Sequence, residues 1–456
     1  MKRAARQKDF DSFRRKYPHF SFSDYRYSVN DNGIELKFLF EIPGLCTFEP
    51  TMFFRQPGSG TFDTTNTEML DNFAFHIGMT ELISYWKTTC SPNVHITKHL
   101  LNSKQINWWK KLYFHGLGEF FYLNSINTDI HNFMNITSEG YEIKSFNIDT
   151  DKSRILVPVG GGKDSAVTLE VLKSLSGYSL VPFAVNPREA VVRTIEIAGY
   201  SMENSLVVHR TLDKNMLDLN AKGFLNGHTP FSALLAFVSS FSAALTGTGY
   251  IALSNENSAN ESTVPGTKIN HQYSKSFEFE QDFYSYLKKH ITPDIHYFSF
   301  LRPLNELQIA SLFARFKQHH LSFRSCNVGS KTDSWCGKCP KCLFTAIILS
   351  PFLKQEEIRA IFRKDIFSDR QLKPVLDELT GTAEIKPFEC VGTPDEVNIA
   401  LNKTLGKTAA LPPLLHNYPV KTAGIDDAFD RLLHNIHNEH NVPEELLIHL
   451  KKVLNA

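Results

Sequence analysis

Val159-Gly160-Gly161-Gly162-Lys163-Asp164-Ser165 is the run whose residue types most clearly could hold a polyphosphate. Three successive glycines let the backbone turn sharply and bring consecutive N–H groups to an anion with no Cβ in the way. Lys163 and the start of a helix add positive potential, and the Ser165 hydroxyl adds a donor, so the run reads as an ATP site. It is not the Walker loop, because no glycine stands at the required distance before the Gly162-Lys163 pair and Asp164 follows the lysine directly. It is not the dinucleotide fingerprint either. The competing reading is a plain glycine turn between a strand and a helix.

A second group is Cys326, Cys336, Cys339 and Cys342, spaced C-x9-C-x2-C-x2-C, with Trp335, Gly337 and Pro340 shaping a tight knuckle. Four thiolates at this density fit tetrahedral zinc, with an iron–sulfur cluster as the competing metal. A closed four-thiolate site has no open position, so its expected role is structural. Seven cysteines, an odd number with four crowded together, do not look like a disulfide framework. Cys390 invites comparison with racemases that use paired thiols, but Cys46 and Cys90 offer no recognisable partner, and a core role is the simpler reading.

These groups need elements to position them. Ile155, Leu156, Val157 and Val159 form an apolar strand before the loop, and Ala166, Val167, Leu169, Glu170, Val171 and Leu172 continue as a helix after it. Strands expected at 154–159, 180–185, 205–210, 250–254 and 295–300 alternate with helices, including 187–198 and 229–245. That alternation predicts an α/β fold with a central parallel sheet covered on both faces. Ligands of such sheets bind beyond the carboxyl ends of the strands, which nominates the Gly160 loop, Asn186, Arg210-Thr211, Ser254-Asn255-Glu256 and Arg302.

Residues 1–150 differ in character. The segment 25–48 alternates around a turn at Asn30-Asp31-Asn32-Gly33, which predicts a hairpin, and helices follow near 72–87 and 103–115. Trp86, Trp108 and Trp109 point to an aromatic core, although Glu119, His115 and Trp109 near the Gly116-Leu117-Gly118 turn could face a ligand. After Cys342 the chain becomes helical, broken by Pro351, Pro387, Pro394 and Pro412-Pro413, and it ends in a charged helix at 443–454. The expected division is an N-terminal α+β domain at 1–150, a loop-bearing domain with the knuckle at 151–350, and a helical region at 351–456.

With 456 residues, 42% of them hydrophobic, core material is ample. Lys+Arg and Asp+Glu nearly cancel at 49 and 48, which argues against a nucleic-acid duplex or an anionic membrane surface as partner. The basic start, residues 1–8, runs into Asp9-Phe10-Asp11 rather than an apolar stretch, so no secretory signal is expected and a cytoplasmic location is. Segment 231–245 is too short to span a bilayer and carries Ser232, Ser239, Ser240 and Ser242; it reads as a buried helix.

The glycine run resembles the Ser-Gly-Gly-x-Asp-Ser loop of the PP-loop ATP pyrophosphatases, with Gly160 where most members have serine. That resemblance implies cleavage of ATP to AMP and pyrophosphate, usually by adenylation of a substrate oxygen. Loop and cysteine cluster together are similar to the cyano-deazaguanine synthases, which are much shorter. The stretches Ser254-Asn255-Glu256-Asn257-Ser258-Ala259-Asn260-Glu261, Asn270-His271-Gln272-Tyr273-Ser274-Lys275-Ser276 and Phe388-Glu389-Cys390-Val391-Gly392-Thr393 point elsewhere. With Phe10-Asp11-Ser12-Phe13-Arg14-Arg15-Lys16-Tyr17-Pro18, they resemble the bacterial ATP-dependent epimerases acting on UDP-N-acetylmuramoyl-L-alanyl-L-glutamate, over most of the chain.

This last resemblance implies a nucleotide-sugar dipeptide as substrate, inversion of its terminal glutamate through an acyl-adenylate, and ATP, Mg²⁺ and a structural Zn²⁺ as cofactors. In that scheme Gly160, Gly161, Gly162, Lys163, Asp164 and Ser165 hold the pyrophosphate end, with Mg²⁺ at Asp164, and Asn186 and Thr211 contact adenosine by position alone. Glu256, His271 and Lys275 are the candidates for proton transfer. Each has a simpler reading: Glu256 as a helix-start cap, His271 and Lys275 as phosphate binders, and His228 as a cap before Thr229. Nitrile formation on a deazaguanine precursor, tRNA modification and an ATP-binding regulatory module stand as alternatives.

Overall fold

The computed structural model describes residues 4–406 and 411–456, so the first three residues of the basic start lie outside it. Contacts group the chain into two compact units. The first comprises Met1–Lys152, Leu206–Ile251 and Lys268–His296; the second comprises Ser153–Ser205, Ala252–Thr267 and Tyr297–Ala456.

The hairpin expected around residues 30–33 organises the sheet of the first unit. His19–Asn30 and Gly33–Ile42 pair antiparallel and close on the Asn30↔Gly33 pair. Gly33 sits at φ +141°, and a Cβ there would lie 1.9 Å from the Phe54 carbonyl oxygen, so only glycine fits. Along Gly33–Ile42 the residues Ile34, Leu36, Phe38, Phe40 and Ile42 are buried while Glu35, Lys37 and Glu41 face water. This period of two makes one face apolar. Helix Thr67–Trp86 belongs to the same unit and has no separate polar face. From Leu70 to its end every residue but Asp71 is buried, as a helix without a polar face requires.

Polar groups inside this core are matched. His76 Nδ1–H donates to the Asn72 carbonyl at 2.8 Å, its Nε2 accepts from the Tyr286 hydroxyl at 3.0 Å, and burial pushes the ring down to about 3, so it stays neutral. Trp109, offered above as a ligand-facing residue, is fully buried and donates to the Tyr286 oxygen at 3.1 Å. It belongs to the core.

One of the expected strands has an antiparallel neighbour. Leu206–Thr211, expected in the parallel sheet, pairs antiparallel with Thr51–Arg55, which itself pairs antiparallel with Gly33–Ile42. Its partner is remote in sequence, and nothing local in 205–210 encodes the choice between a parallel and an antiparallel neighbour. Parallel pairing does occur beyond the hairpin, where His19–Asn30 pairs with Asn93–Ile96 and that strand pairs with Asn135–Ser138.

In the second unit Asp151–Pro158 runs parallel to Ser179–Val185, in the register Arg154↔Ser179 to Pro158↔Phe183. Helices dominate the rest, from Glu306–Arg315 and Pro340–Leu349 to Glu444–Asn455. The result is a mixed α/β chain with a helical C-terminal region. No helix among the described residues is long and apolar enough to cross a membrane.

Helix Lys163–Lys173, which follows the glycine loop, is anchored by charge. Glu170 accepts from His319 Nε2 at 2.8 Å and pairs with Lys173 at 2.9 Å. Burial alone would raise its carboxyl; the bonds from His319 and Lys173 outweigh that and bring it down to about 2. An unfolded glutamate titrates near about 4.3, so the anchor is complete above that pH and is lost as pH falls toward 2. In denaturant unfolding, wild type should lose its stability lead over Glu170→Gln progressively below pH ~4.5. A lead that stays constant through acid would exclude this anchor.

Candidate active site at the glycine loop

The strand Asp151–Pro158 hands over to the loop at Val159, whose N–H still donates to the Phe183 carbonyl at 2.8 Å. Gly160 then emerges into open space, with nothing within 4 Å of where a Cβ would sit. Gly161 is the opposite case. Its φ is +78°, and a Cβ would lie 2.9 Å from the backbone of Ala190 and Val191. Its carbonyl accepts from the Arg324 N–H at 2.8 Å, which ties the loop to the segment leading into the cysteine cluster. Gly162 is the N-cap of helix Lys163–Lys173 and, as a glycine, offers no side-chain cap. The first N–H groups of a helix have no intrahelical partner, so this end is suited to an anion.

Lys163 is buried and pairs with Asp164 and with Glu306. Glu306 opens helix Glu306–Arg315, whose start is held by a capping box: Asn305 accepts from Gln308 N at 3.0 Å and Gln308 returns its oxygen to Asn305 N at 2.9 Å. The Glu306 N–H donates to Glu396 at 2.8 Å, and Glu396 in turn accepts from the Thr393 N–H and hydroxyl. Burial pushes the Glu306 carboxyl well above the usual range; Lys163 opposes this, while Asp164, Glu256 and Glu396 add to it. Burial would lower the Lys163 ammonium, but Asp164 and Glu306 outweigh burial and raise it. Lys163 therefore stays charged within a set of acidic groups. Such a set beside an anion-accepting helix start suits a polyphosphate carrying a divalent cation.

Glu256 is buried in the same unit, and its side chain makes no cap bond to the short turn Asn257–Asn260 that it precedes. Its carbonyl accepts from Arg302 Nη1 at 2.5 Å. Asn186, just past Ser179–Val185, adopts φ +46° and is exposed. Ser165 Oγ donates back to the Gly162 carbonyl at 3.1 Å. Glu306 and Glu396 were not singled out from sequence. An acidic residue at a capped helix start reads as helix chemistry, and nothing in its spacing points to Lys163.

The four cysteine sulfurs converge and can hold a metal ion. Cys326–Cys339 and Cys336–Cys342 lie 3.7 Å apart and Cys339–Cys342 3.5 Å. Tetrahedral bonds of about 2.3 Å would give sulfur separations of about 3.8 Å. Backbone N–H groups of Gly329, Gly337 and Lys338 point at Cys326, Cys342 and Cys336, which favours thiolates. Gly337 has φ +64° and a Cβ there would press on Lys364, so the knuckle needs a glycine at this bend.

The remaining candidates fall in the first unit. Thr211 is exposed and faces Thr51 across the antiparallel pair. Lys275 is half-buried in the turn Tyr273–Lys275. His271 is hydrogen-bonded through Nδ1 to Glu119 Oε2, and His228 Nδ1 lies 3.5 Å from that same oxygen. Glu119 and His271 are 152 positions apart, so no local signal announces their meeting. His115 lines a cleft of about 500 Å³ with Gly118, Tyr122, Lys268 and Ile269.

Comparison with known proteins adds an independent finding. The family model for the MurL N-terminal domain matches residues 12–300, and that for the MurL C-terminal domain matches residues 322–411. A Salinispora tropica protein named UDP-N-acetyl-alpha-D-muramoyl-L-alanyl-L-glutamate epimerase is 36% identical over 326 residues, 70% of each chain. A protein of the same name from Xanthomonas oryzae pv. oryzae is 32% identical over 327 residues, covering 70% of this chain and 71% of its own. A third, from a Micromonospora species, is 37% identical over 300 residues, covering 64% and 65%. No solved structure matches.

The loop geometry separates two neighbouring glycines. Gly161→Ala should destabilise by roughly 2 to 4 kcal/mol, from a left-handed alanine and from contact with the Ala190-Val191 backbone. Gly160→Ser, in open space, should stay within about 0.5 kcal/mol of wild type. Denaturant melts of both variants decide the matter, and equal effects would contradict the geometry.

Proposed function

Because the chain belongs to the MurL family, we propose that it epimerises the terminal L-glutamate of UDP-N-acetylmuramoyl-L-alanyl-L-glutamate to D-glutamate. The likeness to relatives of that name over 70% of the chain carries this reading. ATP is the co-substrate. The α-hydrogen of glutamate is very weakly acidic beside an ionised carboxylate, and converting that carboxylate to an acyl-adenylate removes the opposing charge. Attack of a carboxylate oxygen on the α-phosphorus of ATP breaks the α–β phosphoanhydride and releases pyrophosphate. The proton is then removed from one face and returned to the other, and water frees AMP.

The chain's own residues supply the positions for this. Gly160, Gly161 and Gly162 present backbone N–H groups to the pyrophosphate end, aided by the uncapped start of helix Lys163–Lys173 and by Ser165. Asp164, with the neighbouring carboxylates, is the seat for Mg²⁺, and Lys163 balances part of their charge. Asn186, at the end of its strand, is the adenosine contact, and buried Glu256 is the proton-transfer group. The four cysteines hold a structural zinc that locks the loop after Arg324 onto helix Pro340–Leu349.

With Mg²⁺ and ATP, pyrophosphate release should depend on the muramoyl dipeptide, and D-glutamate should appear in the hydrolysed product. Turnover of a carboxylated deazaguanine with ammonia, or of tRNA, in place of the dipeptide would overturn the assignment. Asp164→Ala should lower pyrophosphate release roughly a hundredfold or more while the fold persists. Cys339→Ser should lower zinc content and melting temperature together; unchanged metal content would dismiss the four-cysteine site.

A further inference from the structure

We propose that Glu119, His228 and His271 form a second metal site, one for a divalent transition-metal cation with zinc as the first choice. The three ligands come from separate stretches of the first unit. Glu119 lies in the first turn of the short helix Gly118–Leu123, His228 precedes helix Phe231–Leu245, and His271 precedes the turn Tyr273–Lys275. One donor atom from each lies within 4.8 Å of the others. His228 Nδ1 and His271 Nδ1 both approach the same carboxylate oxygen, at 3.5 and 2.5 Å. Metal bonds of about 2.0–2.1 Å place neighbouring ligands roughly 3 to 3.5 Å apart, so small adjustments suffice to admit an ion.

The convergence is built by close packing beside each ligand. A Cβ on Gly116 would lie 2.6 Å from the Pro230 ring, and one on Gly227 would lie 2.9 Å from the Phe120 ring. The missing side chains let the Glu119 helix and the His228 segment approach to contact distance. A Cβ on Gly118 would meet Ile269, two residues before His271, at an ordinary contact distance of 3.7 Å. Burial is graded as well: the side chain of Glu119 is 9% exposed, His271 13% and His228 27%. The carboxylate is sheltered while the imidazoles reach toward solvent.

The donor set selects the ion. Two imidazoles and one carboxylate suit zinc, iron(II) or manganese(II) better than calcium or magnesium, which take oxygen ligands. Three protein ligands leave a coordination position for water or an anionic oxygen, unlike the closed four-cysteine site. His271 then serves as a ligand held by the fold rather than as a free proton carrier.

The test is titration of chelator-treated full-length protein with cobalt(II), followed by absorption and calorimetry. Cobalt at the cysteines gives intense near-ultraviolet thiolate charge transfer. Cobalt at Glu119, His228 and His271 should appear as a distinct equivalent with weak visible bands only. The double variant His228→Ala, His271→Ala should lose that equivalent and keep the thiolate bands, with an unchanged circular dichroism spectrum reporting an intact fold. Glu119→Gln, which preserves volume, should weaken the equivalent roughly tenfold or more. Wild type that binds cobalt only through thiolates overturns the proposal, as does a double variant that keeps both equivalents.

Discussion

A single buried ammonium, Lys163, organises the loop side of the second unit. It pairs with its neighbour Asp164, which is partly open to water, and with Glu306 from a distant helix, a contact buried on both sides. Removing one partner of such a buried pair typically costs about 3–5 kcal/mol, because the other charge is left without a counter-ion. Several features follow from that constraint. Glu306 must be held at a helix start, and the Asn305–Gln308 box does this. Glu396 must reach the Glu306 N–H, and Thr393 fixes Glu396 with two bonds of its own. The loop is also held from outside the helix by the Arg324 bond to Gly161.

The electrostatic consequence bears on chemistry. One lysine among Asp164, Glu256, Glu306 and Glu396 leaves an excess of carboxyl groups, and burial with the neighbouring carboxylates pushes the Glu306 carboxyl up against the pull of Lys163. In the proposed reaction a divalent cation brought in with ATP would relieve the rest, and the helix start would receive the phosphate oxygens.

In the first unit the governing constraint is steric rather than electrostatic. Helix Thr67–Trp86 has no polar face, so it must be enclosed; Phe22, Phe38 and Phe40 pack together beside it, with Phe40 stacked on the helix's own Tyr85. Gly78 lets Phe22 come so close that a Cβ would lie 2.3 Å from its ring. The same device, glycine under a bulky neighbour, recurs at Gly116 and Gly227, where it brings Glu119 and His228 together. Close packing of ordinary core residues has placed polar side chains as a by-product.

Features whose signal lies within a few consecutive residues were legible in the chain itself. The glycine loop with its flanking strand and helix, the four crowded cysteines and the Asn30–Gly33 turn are of this kind, because each depends on local backbone freedom or short spacing. Pairings between remote segments were not. The antiparallel neighbour of Leu206–Thr211, the meeting of Lys163 with Glu306 across 143 positions and the gathering of Glu119 with His228 and His271 leave no periodicity and no motif. Sequence alone therefore determined which local structures could bind phosphate or metal. Tertiary structure decided which side chains share a charge or a ligand set, because that choice is made by whole-core packing and by the need to pair every buried charge.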